Sequence, residues 1–374
     1  MSLRAYWSRQ AVLNRTHVFE FNHPLSIYRN WPKAKRGRLT YFGWLSARNF
    51  GDDILAEMVK AEFSEFWVQS AYPRVRLEDR LLTTILNSRP NRGTIIGGGT
   101  IIGGALGGAL ISKFPDNAPF FSFGSGVLPV ERWRAGYFEI WNRILTSATA
   151  ISVRGHQSAR IAKEATGRSD IEVVGDYALA ASELYERQCA SIASLDRPRV
   201  GINLGSHKYA SSEEHNNRMR LAFSDLFRRM HAEVEFVPVY LHKIDKLMTR
   251  EAFSCAGVQP VDEISLFENP ASVCRLGCLD AMISERLHGS IIAHSYDVPA
   301  VGIGYDEKIF DHYEVMDQSN YYIDVSLVST KNLIEKLEFV LSNESQLVRE
   351  VRSSRVRLRR QQRNFVDAMK REFC

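Results

Sequence analysis

A chain of 374 residues, 45% of them hydrophobic, is too long for one ordinary core, so two domains of roughly 150 to 200 residues are expected. The net charge of +5 sits at the ends: residues 1–40 carry eight Lys or Arg against Glu20 alone, and residues 349–374 carry nine basic against three acidic side chains. No apolar run is long enough to span a bilayer, Arg4, Arg9 and Arg15 interrupt any signal-peptide core, and the five cysteines lack zinc or disulfide spacing, so a cytoplasmic chain in a reducing compartment is expected.

Residues 1–37 are aromatic, basic and without periodicity, and read as an extension. From there, short β-branched or aromatic runs alternate with helical patterns: Leu39–Leu45, Thr94–Gly97, Phe120–Phe123, Ala150–Val153 and Ile171–Val174, then Val200–Leu204, Val234–Val239, Leu279–Ile283 and Ala300–Ile303. This rhythm predicts parallel sheets with right-handed crossovers, hence an α/β fold of two Rossmann-like, doubly wound domains meeting at a cleft. Ser191–Arg199 breaks the rhythm and sets the boundary, giving domains over 38–190 and 191–345. Over 346–374, Leu347, Val351, Leu358, Phe365 and Met369 form a helical stripe with arginines on the other faces. The basic ends are either solvated or suited to an anionic surface, such as a membrane face bearing acidic lipids; no nucleic-acid partner is expected. Cys274 and Cys278 read as packing residues.

Ligands of open parallel sheets bind beyond the carboxyl ends of the strands, so the residues after each run are the candidates. In the first half these include Asn49 and Asp52, in a strand-to-helix turn that is either structural or a ligand loop. The glycine-rich loop with Gly98, Gly99 and Thr100 lacks both the nucleotide lysine and the third dinucleotide glycine. Ser125 and Arg154 follow further strands; Arg154 suits an anion, or a nearby carboxylate at a strand end. The second half offers Lys208, His242 and Lys308, each either part of a cationic basin or a solvated surface residue. Ser284-Glu285-Arg286-Leu287-His288-Gly289 is the most specific element. Arg286 is a permanent forked cation, His288 exchanges a proton near neutrality, and a helix over Ser290 to Tyr296 would begin just beyond them. The alternative is a buried, hydrogen-bonded pair that supports the sheet edge.

These elements, in the order Asn49-Phe50-Gly51-Asp52, Gly97-Gly98-Gly99-Thr100, Phe123-Gly124-Ser125-Gly126, Ser152-Val153-Arg154, Val174-Gly175-Asp176, Arg286-Leu287-His288-Gly289 and Tyr305-Asp306-Glu307-Lys308, resemble the polysaccharide pyruvyl transferase family over residues 39–315. The resemblance implies a fold similar to two-domain glycosyltransferases of the GT-B type. It implies transfer of pyruvate from phosphoenolpyruvate, the donor substrate, onto two hydroxyls of a sugar as a ketal, with no metal and no further cofactor. By position it implies phosphoenolpyruvate contacts at Arg286, Leu287 and His288, with Arg154 and Lys308 less directly matched, and His288 as the catalytic acid. The acceptor would be a saccharide, lipid-linked or polymeric, in exopolysaccharide or cell-surface glycan synthesis. A GT-B glycosyltransferase using a nucleotide sugar, or a non-catalytic glycan-binding subunit, are the rival readings.

Overall fold

The structure is a computed structural model that describes residues 36–43, 49–71, 90–104, 118–133, 136–186, 197–205, 213–260 and 262–374. It divides into two units. The first comprises the described residues up to Gly43, then Asp52–Tyr177 and Arg360–Cys374; the second comprises Asn49–Gly51 and Ala178–Arg359.

The first unit holds a parallel sheet of β1 (Arg38–Phe42), β2 (Trp67–Ala71), β3 (Asn91–Gly97), β5 (Phe120–Val127), β6 (Ala150–Val153) and β7 (Ile171–Val173) in the order β2-β1-β3-β5-β6-β7, with β4 (Thr100–Ile102) paired beside β5. All eight residues of β5 are buried, as expected of a central strand covered on both faces. Helices Tyr137–Thr146 and His156–Thr166 press Trp141, Leu145 and Ala162 into a core with Ile96, Ile151 and Val153. The end of the chain completes the unit with aromatic rings. Phe365 stacks on Phe123 with centroids 5.8 Å apart, and Phe373 meets Phe63, Phe66 and Phe121 edge-on at 5.9, 5.9 and 5.2 Å. Gly93 makes room for Phe373, since a Cβ there would lie 2.0 Å from the ring.

The second unit is a six-stranded parallel sheet of β8 (Arg199–Asn203), β9 (Glu235–Tyr240), β10 (Ile264–Ser265), β11 (Ala281–Ser284), β12 (Ala300–Gly304) and β13 (Tyr322–Asp324), in the order β10-β9-β8-β11-β12-β13. Its core joins Val200, Ile202, Ile283 and Ile303 to Phe223, Phe227, Leu333 and Leu337 of the covering helices. Both sheets are Rossmann-like, as the alternating pattern requires.

The details depart from the sequence expectations in three places. The units divide at Tyr177/Ala178 rather than within Ser191–Arg199. The short Ala181–Leu184 helix and the residue after it are tied into the second unit, where Glu183 pairs with Arg359 at 2.8 Å and the Tyr185 carbonyl accepts from the Tyr296 hydroxyl at 2.6 Å. The terminal helix, Glu344–Phe373, buries all five residues of its predicted stripe but serves both units, changing from one to the other at Arg359/Arg360. Cys274 is a buried free thiol, whereas Cys278 is disulfide-bonded and not a packing thiol.

Candidate functional site

The order of the second sheet reverses between β8 and β11, whose ends pair Asn203 with Ser284. Loops leaving neighbouring strands at such a point run to opposite faces and open a crevice. β11 delivers Glu285 and Arg286 into this edge. The helix then begins at Leu287, three residues earlier than expected, with Arg286 in extended backbone as its N-cap. Close packing makes the sharp turn possible: a Cβ on Gly289 would lie 2.1 Å from Ser284 Oγ, so only glycine fits there without displacement.

Arg286 is held by a buried carboxylate. Asp245, fully buried at the start of the Asp245–Ala256 helix, accepts from Arg286 Nε at 2.7 Å and pairs with Nη2 at 2.5 Å through Oδ1. Its Oδ2 accepts from the backbone N–H groups of Leu241 and His242, both at 3.0 Å, and from Asn203 Nδ2 at 3.1 Å. The Asn203 carbonyl oxygen Oδ1 accepts in turn from Arg286 N and from Ser284 Oγ. Among the described residues nothing bonds Arg286 Nη1. Next to it, Glu285 accepts from Gly205 N at 2.9 Å and contacts His215 Nε2 at 3.2 Å; burial pushes its carboxyl up, and His215 opposes that.

His288, in the first turn of the same helix, is 8% exposed. Its imidazole lies against the backbone of Gly51, where a Cβ would stand 2.1 Å from Nδ1. The chain around Gly51 is docked on the second unit through Phe50 N, which donates to Leu241 O at 3.0 Å, and through an antiparallel bridge between Asn49 and His242. This corrects the sequence assignment of Asn49 to the first domain: β-type pairing with the turn after β9 holds Asn49–Gly51 in the second unit, and only Asp52 onward belongs to the first. Asn49, His242, Arg286 and His288 thus share one edge. Lys308 lies on the next turn of the sheet, 3.8 Å from the Asp306 carboxylate and over the Tyr305 ring.

The first unit gathers the remaining candidates around its own reversal point, between β1 and β3. Gly98 and Gly99 take left-handed φ of 77° and 73°, and Gly98 lies so close to Tyr41 that a Cβ would meet its hydroxyl at 2.6 Å. Gly126 N donates to Gly99 O, and Gly126 in turn backs on the Arg154 guanidinium. Arg154 is 4% exposed; its Nη2 donates to Thr100 Oγ1 at 2.8 Å, and Nε has no hydrogen-bond partner among the described residues. Ser125 Oγ donates to Ile96 O, so this hydroxyl is spent on joining β5 to β3. Asp52 opens the first turn of the Phe50–Glu62 helix. The fully buried Tyr41 hydroxyl is pushed well above its ordinary pKa by burial, with the charges of Asp52 and Asp176 adding to it.

Of the predicted residues, Lys208 lies outside the described ones. Two residues of these edges were missed: Asp245, which in sequence is one more acid at a helix start, and Tyr41, which is one more aromatic in a strand. The order Asp245-Lys246-Leu247-Met248 after His242 was the only available signal for the first, and it suits an ordinary helix start equally well.

Comparisons with known proteins fit this geometry. Among solved structures, S. aureus MnaA in its co-structure with UDP aligns with a TM-score of 0.55 and 13% identity over 84% of this chain and 90% of that one. UDP-GlcNAc 2-epimerase from Neisseria meningitidis bound to UDP-GlcNAc gives 0.53 and 12%, over 84% and 93%. A structure described as trehalose-6-phosphate from E. coli bound with UDP-2-fluoro glucose gives 0.55 and 9%, over 89% and 99%. These identities carry the fold alone, the GT-B-like pair of Rossmann-like domains. No curated protein matches the sequence. A family model described as polysaccharide pyruvyl transferase matches residues 49–307, the span that runs from the docked Asn49 segment through Arg286 and His288 to the turn after β12. The chain is therefore a transferase and belongs to the polysaccharide pyruvyl transferase family.

Proposed function

We propose that the protein transfers pyruvate from phosphoenolpyruvate to two hydroxyls of one sugar residue as a ketal, with release of phosphate, in exopolysaccharide or cell-surface glycan synthesis. The observation that carries this reading is Arg286: an arginine whose Nε and Nη2 are fixed on Asp245 and whose Nη1 is bonded by none of the described residues, two residues from His288 at a helix start. A fork fixed in this way suits a carboxylate or phosphate, and the positive end of the helix adds to it. Leu287 would support the donor through its backbone, and Lys308 would add a cation at the next turn.

In the reaction, one sugar hydroxyl oxygen bonds to C2 of the donor while C3 takes a proton from His288 and becomes a methyl group, and the proton that the hydroxyl gives up restores the one His288 lost, through solvent. The tetrahedral product keeps its phosphate until the second hydroxyl oxygen bonds to C2 and the C2–O bond to phosphate breaks, the proton of that hydroxyl leaving with the phosphate. The steps balance without a further cofactor, and they ask for a general acid and for cations on the donor. The acceptor would lie on the loops of the first unit that carry Asp52, Gly98, Gly99, Thr100 and Ser125, with Arg154 there for an anionic part of a substrate.

The test is an incubation with phosphoenolpyruvate and candidate saccharides, read by mass spectrometry for a pyruvate ketal and by phosphate release. A transfer that proceeds instead from a nucleotide sugar would overturn the reading. On the outer face of the terminal helix Arg349, Arg352, Arg360, Arg363 and Arg371 are exposed, which supports contact with the acidic lipids of the cytoplasmic membrane face. Sedimentation with anionic vesicles checks this, and binding that survives the five arginines' replacement by glutamine removes the helix from the account. No described helix is long and apolar enough to cross a membrane.

A further inference from the structure

We infer that Asp245 is the positioning residue of the anion site, acting through Arg286 to set the direction from which the donor is held; this rests on Arg286 being an anion ligand, as proposed above. Asp245 lies on a different element from the Arg286 motif, forty-one residues earlier in the chain, and is fully buried. A buried carboxylate is costly unless its lone pairs are filled, and here both oxygens are used. Oδ2 is saturated by Leu241 N, His242 N and Asn203 Nδ2, which fixes the carboxylate plane before Arg286 is considered. Oδ1 is then the one oxygen left to face the crevice, and it takes both Nε and Nη2 of Arg286.

The consequence is directional. A guanidinium bound on two nitrogens by a fixed oxygen cannot rotate without losing both bonds, so Nη1 points along one line. The same carboxylate lowers the net charge of the site, so it cannot be there to strengthen anion binding by charge alone. What it provides is orientation, obtained before the donor arrives, which reduces the ordering cost of binding. Because its Oδ2 binds the turn that carries His242 and bridges to Asn49, Asp245 also ties the direction of the fork to the wall of the site.

The experiment measures the dissociation constants of phosphoenolpyruvate and, separately, inorganic phosphate by calorimetry for the full chain, Asp245→Asn, Arg286→Ala and the double variant, with thermal melts alongside. Asp245→Asn is expected to weaken both ligands about tenfold or more while the protein stays folded, because a charge-assisted contact loses its direction. The double variant should bind no more weakly than Arg286→Ala alone, since the carboxylate acts only through the arginine. Undiminished affinity in Asp245→Asn, or losses that add in the double variant, overturns the inference. If Asp245→Asn does not fold, Asn203→Ala decides: it removes one of the bonds that orient the carboxylate, and a weakening of about threefold is expected, whereas no change overturns the proposal. Phosphate binding without phosphoenolpyruvate binding would sink the donor assignment and leave Asp245 to be judged on phosphate; binding of neither ends both.

Discussion

Two arginines leave the ends of parallel strands, one in each unit, and they are held in opposite ways. Arg286 follows β11 by two residues and is fixed by a buried carboxylate; Arg154 follows β6 directly, is almost as deeply placed as a core residue, and among the described residues its guanidinium bonds the Thr100 hydroxyl alone, through one nitrogen. The first has its direction fixed and its charge largely balanced. The second lies in a poorly solvated place with no carboxylate partner among the described residues, and packs against Gly126. The two arrangements have different liabilities: removing the first arginine strands a buried carboxylate, whereas removing the second removes a buried cation that has no carboxylate partner among the described residues.

The sharpest way to break the comparison is at the group next to the fixed arginine. His288→Ala should reduce ketal formation by at least about a hundredfold with the melting temperature nearly kept, the usual reach of a general acid; undiminished turnover would remove the acid from the mechanism. Next come the arginines themselves. Arg286→Met leaves Asp245 buried without its cation and should cost about 3 kcal/mol in urea unfolding, whereas Arg154→Met should be neutral or slightly stabilising. Equal losses would mean that Arg154 has a compensation of another kind. A smaller effect is expected from the glycines behind each site. Gly51→Ala should displace the His288 ring and Gly126→Ala the Arg154 guanidinium, each costing about 1–3 kcal/mol, with the activity loss larger in Gly51→Ala. Arg286→Lys keeps the charge and loses the fork, so the Michaelis constant for phosphoenolpyruvate should rise several-fold, about as a lost charge-assisted bond predicts.

The smallest effect concerns acid. His294, at the far end of the Arg286 helix, is fully buried, hydrogen-bonded to His312 at 3.0 Å, and held by burial down to about 3. The unfolded chain binds this proton more readily, so its contribution to stability is complete above the ordinary histidine value of 6.5 and is lost as pH falls from there toward 3. His294→Gln should flatten that part of the stability curve, measured as urea midpoints between pH 7 and 4.

The alternation of strands and helices was readable because it is local, and so was the place of Arg286 at the end of a strand. What escaped were properties that depend on distant pairing. The strands β2, β4, β10 and β13 are short or lie at edges, with too few residues to show a period. Asn49-Phe50-Gly51 reads as a turn into the helix that begins there, and its attachment to Leu241, His242 and His288, far along the chain, leaves no trace in the local pattern. Asp245 is indistinguishable in sequence from a routine acid in the first turn of a helix, since only the fold shows that it faces Asn203 and Arg286. The family pattern carried what periodicity could not: it marked Gly51 and Gly126, and the structure supplies the physical reason, a ring behind one and a guanidinium behind the other.

The terminal helix has a consequence for how the chain is made. Phe365 and Phe373 fill the aromatic core of the unit whose strands are synthesised first. That core stays incomplete around Phe63, Phe66, Phe121 and Phe123 until Phe365 and Phe373 have been synthesised too. The unit whose strands come earlier in the chain is thus completed after the strands of the second unit, and removal of residues 365–374 should injure the first sheet more than the second.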